Sequence, residues 1–449
     1  MSRQEVISLN EEAAKSLRLG ICGLGTVGTG TLDLLRENAD EIRYRLGAEL
    51  EVTRIATRTL EGKKIDNIKH VSTNVFDVIN DASIDVVIET IGGYDPALDV
   101  IRGALISGKH VVTANKALIA EHGNELFELA RENNVALAFE SSVAAGIPII
   151  KALREGLAGN KISWLAGIIN GTGNFILTEM ESKQRQFEEV LKEAQELGYA
   201  EADPTFDIEG IDAAHKLSIM GSIAFGIPLQ FDKTYTEGIS SITPEDLNYA
   251  NELGYKIKHL GIARRSKNGI EMRVHPTLLS KSRLLANVNG VGNAVLIHGN
   301  MVGATLYSGP GAGSAATASA VVADLIDLAR HIQSGITSPV YPALGYFEMR
   351  NELTIIEIGE IEAEYYLRIP AVDRIGVMAQ ISGILQEHDV SIEAVIQKEA
   401  ISETVPIIIL THIVTEKRLD QAIAEIESLA DVAGKITRIR VEPFNGEAA

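Results

Sequence analysis

Cysteine is almost absent from this sequence, in which Cys22 is the only one. A single cysteine excludes an intrachain disulfide and a zinc site built from several thiolates. Cys22 ends a short apolar run just before a glycine-rich turn, so we expect it to pack in a core. Long apolar runs are also missing, because no uninterrupted run approaches the ~20 residues that span a bilayer.

Basic residues are in deficit, with 41 Lys and Arg against 61 Asp and Glu and a net charge of −20. This balance repels a phosphate backbone and argues against a nucleic-acid partner. Residues 1–16 form a polar, acidic tail without the apolar centre of a signal peptide. We therefore expect a cytoplasmic protein that does not bind membranes. The 449 residues, 45% of them apolar, suggest about two to four globular domains.

Residues 17–140 alternate short apolar runs with helical stretches. A first helix is predicted from about Gly25. The apolar runs have the composition of buried parallel strands and lie at 17–22, 51–57, 86–88, 111–113 and 136–139. This alternation predicts an α/β fold with a Rossmann-type doubly wound sheet.

Two more domains are predicted, separated by a linker at residues 334–361. Residues 141–333 indicate a mixed α+β domain. Its predicted elements are helices at 187–197, 211–225 and 245–253, β-like segments within 262–306, and an alanine-rich helix that follows the glycine-rich stretch 308–313. Residues 362–443 have the order βαββαβ of a ferredoxin-like domain. Its strands are predicted at 365–370, 392–397, 405–411 and 436–441, and its helices at 376–388 and 419–429.

A glycine turn joins the first predicted strand to the first predicted helix, and it reads Gly23-Leu24-Gly25-Thr26-Val27-Gly28. In this context the three glycines permit a tight turn, close approach of a pyrophosphate and packing of helix on strand. The free N–H groups and the helix dipole favour phosphate. The turn predicts that residues 17–140 bind a dinucleotide; a close-packed turn without a ligand is the alternative.

The acid that usually binds the adenosine ribose is missing from the end of the second predicted strand. Glu49 and Glu51 lie at the beginning of that strand, whereas its end carries Arg58, followed by Lys63 and Lys64. An arginine at this position can face a 2′-phosphate. We therefore favour NADP over NAD, with a solvated basic loop as the alternative.

Two lysines are candidates for chemistry. Lys116 follows the predicted strand 111–113 near the start of a helix, where a cation opposes the helix dipole. Lys216 lies four residues after Asp212 on a predicted helix, and alone such a pair is a surface bridge worth about 0.2–0.5 kcal/mol. Five carboxylates crowd residues 201–212 and could hold a substrate ammonium, while Lys216 beside a carbonyl could donate a proton.

At this point residues 17 to about 333 resemble the homoserine dehydrogenase family. The matching segments are GLGTVG, TANKA, ESSVAAGIP, NGTGNF, GYAEADPTFDIEGIDAAHKL and GPGAGSAATAS, in this order. The resemblance implies NAD(P)-dependent interconversion of aspartate 4-semialdehyde and homoserine in threonine, methionine and isoleucine biosynthesis. It also makes residues 141–333 a catalytic and dimerisation domain, so we expect a homo-oligomer, either a dimer or a tetramer.

The resemblance also assigns roles to individual residues. Lys216 would be the proton donor, and Lys116 would contact both cofactor and substrate. Glu201, Asp207 and Asp212 would bind or orient the amino-acid end of homoserine, with Asp212 also in the catalytic set. The cofactor would be bound by Gly23, Gly25, Thr26, Val27, Gly28, Arg58, Lys116, Gly313 and Thr317.

A monovalent cation, expected to be sodium, is implied by the resemblance alone. Its ligands would be Glu140 and the backbone of Val143, Ala145 and Ile147. Position 145 is often glycine in the family, but alanine still offers a carbonyl. Oxygen ligands of this kind suit a hard cation.

The segment 362–443 resembles an ACT domain, a regulatory module that senses small molecules. The segments that carry this resemblance are the loop 372–377 and the junction 388–392, although Ile375 stands where proline is common. The resemblance implies feedback inhibition, with threonine as the expected effector. The alternative is a dimerisation module without a ligand.

Two other functions are alternatives to this one. A phosphorylating semialdehyde dehydrogenase needs a nucleophilic cysteine in its catalytic domain, whereas Cys22 lies beside the glycine turn. A non-catalytic amino-acid sensor would not need Lys216 and its neighbouring carboxylates.

Overall fold

The computed structural model describes residues 16–63, 65, 67–334, 341–397 and 404–444. The predicted tail 1–16 lies almost wholly outside the described residues, and Lys64 lies outside them too. The chain divides into two compact units. The first comprises the described parts of Met1–Gly159, Ser218–Phe231 and Gly309–Asn351, and the second those of Asn160–Leu217, Asp232–Ser308 and Glu352–Ala449.

The first unit contains a six-stranded sheet in the order β3-β2-β1-β4-β5-β6, and all of its pairings are parallel. Its strands are β1 (Leu17–Cys22), β2 (Leu50–Ala56), β3 (His70–Ser72), β4 (Val86–Glu89), β5 (His110–Thr113) and β6 (Leu137–Ala138). This order is that of a doubly wound dinucleotide-binding sheet, so the predicted fold class is confirmed. The short strand β3 was not predicted.

Helices cover the strands of this sheet, which explains why the strands are continuously apolar. The helices of the first unit are Thr26–Glu37, Ala39–Leu46, Phe76–Ile79, Ala97–Ile106, Lys116–Glu132, Ile149–Lys151 and Ser314–Gln333. Val321 and Leu325 of the last helix share one buried cluster with Leu32 of the first. Small residues allow this approach, since a Cβ on Gly30 would lie only 2.3 Å from the Ser314 hydroxyl.

The second unit is built on a mixed sheet of eleven strands. Nine form the path β12-β11-β7-β9-β10-β17-β13-β15-β14, while β8 pairs with β10 and β16 with β13. The strands are β7 (Ile162–Ile168), β8 (Tyr235–Thr236), β9 (Tyr255–Arg265), β10 (Ile270–Ser280), β11 (Gly292–Gly299), β12 (Gly303–Pro310), β13 (Glu362–Val372), β14 (Ile392–Gln397), β15 (Thr404–Thr411), β16 (Val414–Thr415) and β17 (Thr437–Val441).

The five helices that the sequence predicts for this part of the chain are present. They are Phe187–Glu196, Ile211–Phe225, Pro244–Glu252, Val377–Glu387 and Glu416–Glu427. Two further helices, Gly171–Lys183 and the short Thr205–Ile208, were not predicted. Ile211–Phe225 has the predicted bounds; Pro244–Glu252 begins one residue early because Thr243 and Asp246 form a capping box around Pro244. The strand β7 was not predicted either.

The C-terminal block, residues 362–441, has the predicted βαββαβ order, with β17-β13-β15-β14 as neighbours. Its final strand also pairs in parallel with β10, at Thr277 with Arg440 and Leu278 with Val441. The predicted ferredoxin-like sheet is therefore continuous with the sheet formed by residues 162–310. Nothing in the sequence pattern predicted this pairing.

The proposed linker 334–361 includes residues 335–340, which lie outside the described residues. Further along, Ile355 forms a bridge with Ile270 at the start of β10, and Ile358–Glu360 forms a short 3-10 turn. This stretch therefore contains defined contacts in the second unit. Among the described helices, none has the length and apolar character that a membrane crossing requires.

Buried ion pairs accompany the pairing of β10 with β17. Arg440 is fully buried; its guanidinium donates to Glu416 at 2.8 Å and to Glu237 at 2.8 Å, and it stacks over the Tyr235 ring at 5.0 Å. These partners come from a helix of the C-terminal block and from the segment that contains β8. Each charge is paired, as burial in a low-dielectric interior requires.

We predict that Arg440→Met lowers the free energy of unfolding by about 3–5 kcal/mol, because it leaves buried carboxylates without their partner. Denaturant unfolding of the full chain measures the change. Arg418→Met is the matched control: Arg418 and Asp389 are 3.4 Å apart and largely exposed, so we expect a loss of only about 0–1 kcal/mol. Equal losses in the two variants would contradict the prediction.

Candidate active site

The carboxyl ends of four parallel strands of the first unit are in register, at Cys22, Ala56, Glu89 and Thr113. Ligands bind at this edge of doubly wound sheets. Cys22 is fully buried, as expected, and burial raises the pKa of its thiol. A protonated, inaccessible thiol is not a nucleophile.

The glycine turn follows β1 directly. Gly23 has φ +101°, and a Cβ there would lie 2.7 Å from the carbonyl oxygen of Thr90. A Cβ on Gly28 would lie 2.0 Å from the Gly23 carbonyl oxygen. Gly25, in contrast, is exposed with no atom within 4 Å of a Cβ position, and Thr26 and Val27 begin the helix. The turn thus has the close packing and the open backbone that the motif predicts.

Basic residues follow the end of β2, where the ribose acid is missing. Arg58 is exposed, two residues beyond Ala56. The Lys63 ammonium reaches back and donates to the carbonyl of Leu24, at 2.6 Å, inside the glycine turn. The sequence pattern indicated a basic loop but did not indicate that Lys63 contacts the turn.

A buried carboxylate that was not predicted as a functional residue, Glu89, connects the loops after β4 and β5 by hydrogen bonds. Glu89 accepts the N–H of Ile91 at 2.7 Å and the hydroxyl of Thr113 at 2.5 Å, and burial raises its pKa. The Thr113 hydroxyl in turn accepts the N–H of Asn115 at 3.0 Å. Asn115 caps the helix whose first residue is the half-buried Lys116. The sequence did offer a signal for Glu89, because this acid ends the apolar run at residues 86–88.

The second glycine-rich stretch lies beside the glycine turn, within the same unit. Gly313, with φ +114°, precedes the helix Ser314–Gln333, and its carbonyl accepts the Thr317 hydroxyl at 2.8 Å. The Ser314 hydroxyl donates to the carbonyl of Thr26 at 2.8 Å. The N-termini of two helices therefore meet here, and both favour negative charge.

The predicted cation segment is buried in the first unit. The Glu140 carboxylate accepts the N–H groups of Ile150 and Lys151, each at 2.9 Å, and the Glu140 N–H donates to Asp324 at 2.8 Å. Burial and, to a smaller extent, the negative charge of Asp324 raise the pKa of Glu140 to about 7. The segment also contacts the second glycine stretch, through a 3.1 Å bond from Gly146 to the Pro310 carbonyl.

Strained backbone marks the same segment. Ala144 and Ala145 have φ of +54° and +40°, a region that alanine rarely adopts. Within the described part of the chain, no donor hydrogen-bonds to the carbonyl oxygens of Val143 and Ala145, whereas Ile147 accepts the Ile149 N–H at 2.7 Å. Strain retained at a buried loop is typical of functional sites.

The second unit gathers most of the predicted substrate residues. Lys216 and Asp212 are both buried and lie 2.7 Å apart, so they do not form the exposed pair that spacing alone describes. Lys216 also donates to the Ile169 carbonyl at 2.8 Å. Asn170, which was not predicted as a site residue, donates to Asp212 at 2.9 Å and to Asp207 at 2.8 Å.

Glu201 is placed differently from these residues. It is exposed on the loop after the helix Phe187–Glu196, and its carbonyl accepts the Gln195 amide at 3.1 Å. The structure brings Asp207, Asp212 and Lys216 together in one hydrogen-bonded cluster of the second unit. It records no bond from the Glu201 carboxylate to that cluster among the described residues.

Comparison with known proteins identifies the family. Residues 23–140 match the homoserine dehydrogenase NAD-binding domain, residues 148–326 the homoserine dehydrogenase family and residues 365–431 the ACT domain. A homoserine dehydrogenase of Pseudomonas aeruginosa is 56% identical over 434 residues, which cover 96% of this chain and all of that protein. The chain belongs to the homoserine dehydrogenase family. It is an NAD(P)-binding oxidoreductase of amino-acid biosynthesis with a C-terminal ACT regulatory domain.

Solved structures of homoserine dehydrogenases agree with this assignment. The enzyme of Thiobacillus denitrificans is 55% identical, with a TM-score of 0.91 over 96% of this chain and 99% of that chain. A hyperthermophilic archaeal homoserine dehydrogenase, solved in complex with NADPH, is 30% identical with a TM-score of 0.60 over 70% of this chain and 98% of that chain.

Proposed function

We propose that this homoserine dehydrogenase uses Lys216 to move the proton that accompanies hydride transfer. The observation that supports this proposal is the buried Asp212–Lys216 pair, whose atoms are 2.7 Å apart. A bound nicotinamide supplies or accepts the hydride. In the reducing direction the Lys216 ammonium gives a proton to the carbonyl oxygen of aspartate 4-semialdehyde as it becomes the homoserine hydroxyl.

The carboxylates of the same cluster would bind the amino-acid end of the substrate. Asp207 and Asp212, with Glu201, provide negative charge for an α-ammonium group, and burial of Asp212 strengthens such an interaction. Asp212 also keeps Lys216 in place by a charge-assisted hydrogen bond. Lys116, at the first turn of its helix, would contact both cofactor and substrate.

We predict that Lys216→Met lowers kcat by about 10²–10⁴-fold, the usual contribution of a general acid or base. The Kd for the cofactor, measured by fluorescence without substrate, should stay the same, because the glycine turn is unaltered. Lys192→Met is the control, since Lys192 is exposed on the helix Phe187–Glu196. Turnover close to that of the unaltered enzyme in Lys216→Met would refute the proton-transfer role.

NADP is the proposed cofactor, with NAD as the alternative. Three observations support this choice: no acid ends β2, Arg58 is exposed just beyond it, and the Lys63 ammonium lies 2.6 Å from the Leu24 carbonyl oxygen in the glycine turn. Two cations beside this turn would favour a 2′-phosphate over a hydroxyl. A homoserine dehydrogenase from a hyperthermophilic archaeon has been solved with NADPH, which agrees with this choice.

We predict that Lys63→Met and Arg58→Met each weaken NADP binding about tenfold or more while leaving the Kd for NAD unchanged, since only NADP carries the phosphate. Titration of each variant with both cofactors measures this selectivity. Lys69→Met is the control, because Lys69 is exposed and pairs with Glu51. Equal losses for both cofactors would show that these side chains do not recognise the phosphate.

A monovalent cation, proposed to be sodium, fits the segment 140–147. The donors are the Glu140 carboxylate and the carbonyls of Val143, Ala145 and Ile147, all oxygen atoms of the kind hard cations prefer. Glu140 accepts two N–H bonds and retains further lone pairs. A bound cation would offset the repulsion between Glu140 and Asp324 and fix the strained backbone at Ala144 and Ala145.

The cation proposal predicts a pH dependence. Without a cation, the raised pKa of Glu140 makes the folded state less stable as pH rises from about 4.5 to about 7, because the folded carboxyl holds its proton more tightly. A cation binds the ionised form and reverses part of this loss. The stabilisation by sodium chloride over tetramethylammonium chloride should therefore be absent well below pH 7 and grow above it.

Glu140→Gln should abolish this pH-dependent sodium effect, whereas Glu128→Gln, on an exposed helix position, should retain it. Thermal unfolding at matched ionic strength measures both. The dependence is at most about 1.4 kcal/mol per pH unit for one proton. An identical sodium effect at all pH values, or one that survives Glu140→Gln, would rule out this site.

Threonine is the proposed effector of the ACT domain, and feedback inhibition the proposed result. In support, Gly376 has φ +95° in the loop 372–377, and Ile375 beside it is fully exposed. Removal of the C-terminal block would expose β10, so inhibition by threonine has to be measured on the full chain.

The remaining proposals are that the enzyme forms a homo-oligomer, either a dimer or a tetramer, and that it is located in the cytoplasm.

A further inference from the structure

Asn170 stands at the junction between β7 and the helix Gly171–Lys183, and it is only 7% exposed. Its side-chain oxygen accepts the N–H of Gly173 at 2.8 Å, which caps the helix. Its side-chain nitrogen donates to Asp207 at 2.8 Å and to Asp212 at 2.9 Å. Both protons of this amide are thus used, each on a different carboxylate.

The same junction also holds Lys216. The carbonyl of Ile169, the residue before Asn170, accepts the Lys216 ammonium at 2.8 Å. The oxygen of Asp212 that accepts the Asn170 amide also accepts Lys216, at 2.7 Å. Two consecutive residues therefore contact the lysine and both carboxylates directly.

Neighbouring carboxylates repel each other, and the repulsion is strong where solvent is excluded. An amide that donates to both keeps Asp207 and Asp212 close without adding charge. An aspartate at position 170 would add a third negative charge, and a serine would have no donor with the same reach. The arrangement therefore depends on a neutral side chain with two donors and one acceptor.

We propose that Asn170 is a positioning residue of this dehydrogenase. Its amide holds the carboxylates of Asp207 and Asp212, and through Asp212 the ammonium of Lys216, in the arrangement that the reaction uses. This inference rests on the proposed roles of those three residues. It adds a fourth residue whose side chain sets their geometry.

Helix capping and positioning can be separated by substitution. Aspartate and serine cap helices about as well as asparagine, so Asn170→Asp and Asn170→Ser retain the cap. Neither can donate to both carboxylates. A capping role alone would leave the activity of these variants intact, whereas a positioning role would not.

The test measures kcat, the KM for homoserine, Tm and the Kd for NADP in the full-length variants. We expect both variants to raise the KM and lower kcat, with kcat/KM reduced about 10–100-fold, the effect of losing hydrogen bonds to charged groups. The Tm of Asn170→Ser should change by a few degrees at most, whereas Asn170→Asp should lower Tm further because it adds a buried charge beside two carboxylates. The Kd for NADP should not change in either variant. Thr243→Ala is the matched control, because it removes the cap of the helix Pro244–Glu252; it should lower Tm without lowering kcat/KM.

Normal kcat/KM in Asn170→Asp or Asn170→Ser would overturn the positioning role. A loss of kcat/KM that merely follows the loss of Tm, as calibrated by Thr243→Ala, would overturn it equally. Lys216→Met separates this inference from the proposed function. An active Lys216→Met removes the proton-transfer role itself, whereas an inactive Lys216→Met with a fully active Asn170→Asp removes only the contribution of Asn170.

Discussion

Burial of charge is the constraint on which the second unit depends. Arg440 and Arg273 are almost completely inaccessible, and each is paired with carboxylates, Arg440 with Glu416 and Glu237, and Arg273 with Glu442 at 2.9 Å. A buried charge that loses its partner costs several kcal/mol, so these contacts cannot be separated without a large loss of stability. Arg440 lies on β17, and Glu442 directly follows that strand. The pairing of β17 with β10 therefore places Glu442 beside Arg273 of β10, while Arg440 contacts Glu416 of the C-terminal block. The C-terminal block and residues 162–310 are therefore parts of one folded sheet.

The same constraint applies to the cluster of Asp207, Asp212 and Lys216. Lys216 is buried beside Asp212, and the amide of Asn170 donates to both Asp207 and Asp212. The hydrogen bonds among the buried residues Asn170, Asp212 and Lys216 are stronger than they would be at a surface, because little water competes for them. A group that must both hold and release a proton benefits from such fixed neighbours, which need not reorganise during the reaction. In the proposed mechanism, stability and chemistry would thus use the same hydrogen bonds in this part of the molecule.

Sequence patterns within a few residues predicted most of the fold, whereas contacts between residues far apart in the sequence were not predicted. The glycine turn and the helix Ile211–Phe225 were predicted because their signals, steric need for glycine and apolar periodicity, lie within a few residues. The contact of Lys63 with Leu24, the tether from Glu89 to Thr113 and the pairing of β10 with β17 join residues that are 24 or more positions apart. Asn170 is intermediate: its cap is local, but its carboxylate partners lie 37 and 42 positions away. Such groups are recognised only once the strands bring them together.

The continuous sheet limits how the ACT domain can regulate the enzyme. From β13 the hydrogen-bonded order runs through β17, β10 and β9 to β7, which ends directly before Ile169 and Asn170. A ligand shifts an equilibrium only if it binds two arrangements of the protein with different affinity. The register of β17 against β10 is held by buried ion pairs and is a poor candidate for the element that changes. An effector at the loop 372–377 would therefore not release the C-terminal block from the sheet. It would instead alter the twist or the mobility of strands that stay paired, or change the contacts of the ACT helices.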